Sequence, residues 1–113
     1  MTEDQIRAQA NLVVTAEQRS RREFMRWILL MAANLNRPVH STVKFLLLVV
    51  RGEYPDATSA EVQRELDYLE SRDLLKVHKD HMGSVTVDLT RYGMDVVEYT
   101  VAVEPGIARP MPI

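Results

Sequence analysis

The stretch from Thr58 to Gly93, TSAEVQRELDYLESRDLLKVHKDHMGSVTVDLTRYG, limits what this chain can fold into more than any other feature. Thr58 and Glu61 have the spacing of a capping box, in which each side chain satisfies an amide that the first helical turn leaves free. Val62, Leu66 and Leu69 then recur at i, i+4 and i+7 and make one core-facing stripe on a helix over 58–72. Arg64, Asp67, Tyr68 and Ser71 fall on the opposite face. Arg72-Asp73 ends the helix, since Asp is among the few non-glycine residues that tolerate a left-handed conformation. Leu75–His78 and Val85–Leu89 alternate with the period of two expected of half-buried strands, and Met82-Gly83-Ser84 is the turn between them.

Helix, strand, turn, strand and helix start, in that order, form the second half of a winged helix-turn-helix. The expected fold is α+β: a three-helix core with a two- or three-stranded wing sheet, a long first helix and a C-terminal helix. The upstream residues supply the missing elements. Thr15 and Gln18 make a second capping-box candidate for a helix running to about Asn34, with Phe24, Ile28, Met31 and Leu35 as its stripe. Pro38 breaks that helix. Pro38-Val39-His40 offers a short extra strand, and Ser41 an N-cap for a helix over Thr42–Arg51. Thr90 caps a last helix over Arg91–Thr100, with Met94, Val97 and Val101 inward. On this reading residues 1–14 are a flexible arm, 15–103 the winged-helix domain and 104–113 a flexible Pro-rich tail.

The motif detail also supports a resemblance. Leu66-Asp67-Tyr68-Leu69-Glu70-Ser71-Arg72-Asp73-Leu74 looks like the "LxYLxxxGL" that ends the recognition helix in ArsR- and MarR-like regulators, with Asp73 where that pattern usually has Gly. Leu89-Thr90-Arg91-Tyr92-Gly93 is similar to the "LTxxG" that closes the wing in many such domains, and small phage-encoded proteins use the same motifs. The resemblance covers residues 20–100 in outline and 58–93 in motif. It implies a DNA-binding regulatory homodimer, with helix 58–72 in the major groove and the wing on the backbone.

Composition limits the alternatives. The 113 residues suffice for one domain with one hydrophobic core. No cysteine is present, which excludes disulfides and thiolate metal clusters and is compatible with a reducing cytoplasm. The apolar runs Trp27–Ala33 and Phe45–Val50 fall short of the roughly 18 residues of a membrane span, so a soluble, cytoplasmic protein without membrane contact is expected. No Gly-rich phosphate loop, HExxH or nucleophile elbow occurs, and no enzymatic activity is expected.

A net charge of −2 hides a segregation. Residues 19–51 carry a net +6 and residues 52–75 a net −5. Because DNA affinity rests largely on neutralising phosphates, an acidic recognition helix argues against duplex binding, and the basic first half partly offsets it. The candidate DNA-contacting residues are Ser59, Gln63, Arg64 and Asp67 on the helix, and Lys76, Lys79 and His81 in the wing. Arg19, Arg22 and Arg26 add a ridge on the first helix. Phe24, Trp27, Leu29, Leu30 and Met31 are the expected dimer interface, because the first helix is apolar on most sides. His78 and His81 with Asp80 or Asp88 are a poor ligand set, so no metal and no cofactor is expected. The alternative is an adaptor that binds another protein through its acidic helix face or its basic ridge, without touching DNA.

Overall fold

The computed structural model describes residues 1–112, apart from the side chain of Val14. Four helices and one antiparallel sheet follow in the order α1 (Glu3–Leu35), β1 (Ser41–Thr42), α2 (Val43–Glu53), α3 (Ser59–Ser71), β2 (Leu75–Lys79), β3 (Val85–Leu89) and α4 (Arg91–Val97). The fold is α+β, with a layout consistent with that of a small winged-helix-like domain. β3 is the central strand, with β1 on one side and β2 on the other. Its register sets Val77 and Val87 opposite each other, and Ser41 opposite Val87.

The centre of the sequence reading is reproduced. Val62, Leu66 and Leu69 are buried, and the Thr58 hydroxyl accepts from the Glu61 amide at 3.1 Å. Only half of the capping box forms, because the Glu61 carboxylate turns to Arg21 instead of the cap amide. Asp73 adopts φ 62°, the left-handed conformation that the end of α3 requires, and Gly83 takes φ 84° in the hairpin turn. Asp80 organises that turn by accepting from the amides of Met82 and Ser84. The run Phe45–Val50 is helical. Thr42, rather than Ser41, caps α2, its hydroxyl accepting from the Phe45 amide at 3.1 Å; the two residues form β1, so the short strand lies just after Pro38–His40.

The two ends of the chain differ from expectation. α1 starts at Glu3, with Thr2 and Gln5 as its capping box, and Thr15 lies mid-helix with its hydroxyl donating to the Asn11 carbonyl. Residues 3–14, expected as an arm, are helical. The expected tail packs back onto the domain. Ile107 is buried, the Ala108 amide donates to the Glu23 carbonyl, and Arg109 donates to the carbonyls of Val96 and Val101.

The core also corrects the expected dimer interface. Trp27, Leu29 and Leu30 are buried within the chain itself, together with Met25, Ile28, Ala32 and Ala33. The second half of α1 is apolar on most sides because it is the central helix, packed by α2, α3, α4 and β3. Phe24 is half-buried against that core and Met31 lies at its exposed edge. The stripe Phe24, Ile28, Met31, Leu35 is thus offset from the true core face, and Leu35 is solvent-exposed. No helix among the described residues is long and apolar enough to cross a membrane.

Candidate nucleic-acid interface

The acidic character of α3 is largely spent inside the molecule. Arg21 of α1 grips Glu61 with two hydrogen bonds, Nε to Oε2 at 2.8 Å and Nη2 to Oε1 at 2.9 Å, and a third reaches Asp56 at 3.0 Å. Glu65 is 1% exposed and receives Arg26 Nε at 2.9 Å on one oxygen and Arg64 Nε at 3.1 Å on the other. The third carboxylate, Glu70, accepts the Val77 amide at 2.7 Å and so ties α3 to β2. Of the four carboxylates on α3, only Asp67 faces solvent without such a partner among the described residues. A signal for Glu65 was present in the sequence: it stands three residues after Val62 and four before Leu69, on the buried side of the helix.

Arg26 is consequently no part of a free basic ridge. Besides Glu65 it donates to the Gly106 carbonyl at 2.9 Å, and its guanidinium stacks 3.6 Å from the Tyr68 ring centroid. Cation–π stacking and a buried carboxylate together fix this side chain in place. Arg19 and Arg22 remain exposed. Arg22 and Arg64 line one cleft at the start of α3 with Gln18, Thr58 and Ala60.

The outward face of α3 carries Ser59, Ala60, Gln63, Arg64 and Asp67. Gln63 and Asp67 share a crevice with Val77, Lys79 and Val85 of the hairpin, which places Lys79 beside the helix face. Strand alternation sends Lys76 and His78 to the other side of the sheet. There His78 approaches Asp88 at 3.2 Å and His40 approaches the same carboxylate at 2.7 Å. The expected wing cluster is thus split, with Lys79 toward α3, Lys76 and His78 away from it, and His81 exposed in the turn. The pairing of His40 with Asp88 depends on β1 lying beside β3, which the local sequence pattern does not reveal. No group of three metal-ligating side chains among the described residues is arranged to hold an ion.

The Arg21 bonds hold the Glu61 carboxyl below its ordinary value of 4.5, against the opposing effect of burial. A carboxylate whose folded-state pKa is depressed stabilises the fold above its unfolded value and loses that contribution as pH falls through the folded one. Glu61→Gln should therefore be less stable than the wild type at pH 7, with the gap closing below about pH 4.5. Urea midpoints measured between pH 7 and pH 3 test this; a gap independent of pH would remove the linkage.

Compared with models of protein families, with curated proteins and with solved structures, the chain finds no match.

Proposed function

We propose that this chain is a non-catalytic winged helix-turn-helix protein that binds double-stranded DNA. In this reading α3 enters the major groove and the β2–β3 hairpin acts as the wing. One observation carries the reading: Glu61 and Glu65 are paired with Arg21 and Arg26 of α1, and Glu70 is turned to the Val77 amide, so much of the charge that argued against duplex binding is compensated or directed inside the protein. What the helix does offer is Ser59, Gln63 and the half-exposed Arg64, whose Nε is bonded to Glu65, with a single free carboxylate, flanked by Lys79 and Arg22. Arg suits guanine and Gln suits adenine by paired hydrogen bonds, while Lys79 and Arg22 suit phosphates. The same internal pairing weakens the adaptor alternative as far as it relied on an acidic helix face; its other surface, the basic ridge, keeps Arg19 and Arg22 exposed. A regulatory role follows from sequence-selective binding and stands or falls with it.

Fluorescence anisotropy with a duplex library at low salt is the test. Lys79→Ala and Arg22→Ala should each weaken binding to all duplexes and lower the salt slope by about 0.9. Arg64→Ala should instead flatten preference among sequences, by about 1–3 kcal/mol at the preferred site. Asp67→Lys should raise non-specific affinity several-fold, because it removes the one free carboxylate. Absence of salt-dependent duplex binding near ~50 mM salt, for both the wild type and Asp67→Lys, would overturn the reading.

A further inference from the structure

The exposed residues of α3 are Ser59, Ala60, Gln63, Arg64, Asp67 and Ser71, while Val62, Glu65, Leu66 and Leu69 are buried behind them. At helical spacing the exposed set forms one stripe along the outward side. Asp67 lies on the middle of that stripe, four residues after Gln63 and four before Ser71. The arginines of α1 that face α3 do not reach it, since Arg21 is taken by Glu61 and Arg26 by Glu65. Among the described residues this carboxylate is exposed and accepts no hydrogen bond.

In a major groove a carboxylate at this position is repelled by the phosphates and loses affinity unless a base edge donates a hydrogen bond to it. An ionised carboxylate is an acceptor only. The donors on the major-groove edges are the amino groups at adenine N6 and cytosine N4. Adenine sets its N7 acceptor beside N6, and that lone pair repels a second acceptor. Cytosine presents N4 with no acceptor of its own in that groove. We infer that Asp67 reads a cytosine, so that the duplex this chain prefers carries a C·G pair at the step Asp67 faces. The inference rests on the duplex-binding reading above and adds the base.

Two neighbours support that assignment. Arg64 stands one turn before Asp67 on the same stripe, and its Nε is bonded to Glu65 at 3.1 Å, which leaves its terminal nitrogens for a guanine edge. Three residues separate the two side chains, about 4.5 Å along the helix axis, against a rise of about 3.4 Å per base pair. With Arg64 on a guanine, Asp67 therefore falls on the adjacent pair. The acceptor nearest to cytosine N4 across its own pair is guanine O6, and the Arg64 guanidinium close by offsets its repulsion of the carboxylate. Lys79 lines the same crevice as Gln63 and Asp67 and offsets part of the repulsion from the backbone.

Selection from a randomised duplex library at low salt, read by sequencing, tests the base preference. The wild type should enrich a C·G pair next to the guanine, and any other base in place of that cytosine should weaken binding about 5- to 150-fold, the range one good pairing gives. Asp67→Asn should move the preference at that position to adenine, because an amide both accepts and donates and so matches N6 and N7. The contact itself is read with a cytosine analogue that lacks the N4 amino group but still pairs with guanine. It should weaken the wild type about as much as Asp67→Ala does, and weaken Asp67→Ala no further. Because the analogue is measured on the wild type, a folding defect in a variant does not enter. Enriched sites without a fixed cytosine, a cytosine preference that survives Asp67→Asn, or losses that multiply when both changes are combined would each overturn the inference and leave duplex binding standing. A library that enriches nothing and binds neither the wild type nor Asp67→Lys would remove duplex binding, and this inference with it.

Discussion

Gly93→Ala should cost about 4 kcal/mol or more, a large share of the about 5–15 kcal/mol that holds a domain of ordinary stability folded. The cause is a close approach of backbone to backbone. Gly93 is the third residue of α4, and a Cβ placed there runs into the Leu74 carbonyl and crowds Leu89. That carbonyl cannot withdraw easily, because it accepts the Thr90 amide at 3.2 Å, while the Thr90 hydroxyl both donates to the Asp73 carbonyl at 2.6 Å and caps α4 by accepting from the Gly93 amide at 3.0 Å. The start of α4, the end of α3 and the first residue pair of the hairpin are thus joined at one point, and only a residue without a side chain fits. Gly52 in α2 supplies the contrast. Nothing lies within 4 Å of a Cβ there, so Gly52→Ala should be neutral or stabilise by roughly 0.4–1 kcal/mol through the unfolded chain. Equilibrium urea unfolding of the two variants reads the difference. Similar stabilities for both would show that the α4 junction relaxes.

Gly93 also shows which parts of this molecule were legible in sequence. Its place in the Leu89–Gly93 motif was visible, as were the Thr58 cap, the left-handed Asp73 and the two alternating strands, because each depends on residues a few positions apart. What escaped depends on distance along the chain. The burial of Trp27, Leu29 and Leu30 follows from α1 being enclosed by three helices and a strand, whereas apolar breadth by itself is equally compatible with a partner subunit. The helix over residues 3–14 has good helix formers but no strong apolar period to mark it. The prolines of the tail suggest flexibility, yet its anchors are Ile107 in the core and the Gly106 carbonyl on Arg26, the latter spanning 80 positions. The candidate interface was half visible. Ser59, Gln63, Arg64 and Asp67 do face outward, but the net charge of the helix misleads, because formal charge does not distinguish a carboxylate in solvent from one held by an arginine on another helix.

Arg26→Ala should be nearly as damaging as Gly93→Ala, for an electrostatic reason. Glu65 is 1% exposed, and Arg26 is the more enclosed of its two partners, with 13% of its side chain accessible against 51% for Arg64. Truncating Arg26 leaves a buried carboxylate with only a peripheral cation, and breaking a buried pair from one side costs about 3–5 kcal/mol. The same change removes the stack on Tyr68 and the bond to Gly106, so residues 104–112 should become sensitive to protease while the helical core is still folded. Gly106 itself, at φ 100°, sits against the Tyr68 hydroxyl, which leaves this turn no room to compensate by closing in. Replacing both partners separates charge from shape. Arg26→Met with Glu65→Leu removes both charges and keeps most of the volume, and such exchanges are often neutral or stabilising. The double variant should therefore recover most of the unfolding free energy lost in Arg26→Ala, while its tail stays loose because the Gly106 carbonyl still lacks a donor. If the double variant is as unstable as the single one, the cost lies in the stack on Tyr68 and the docking of the tail rather than in a stranded charge. An intact tail in Arg26→Ala would mean that Ile107 and Arg109 hold it without help.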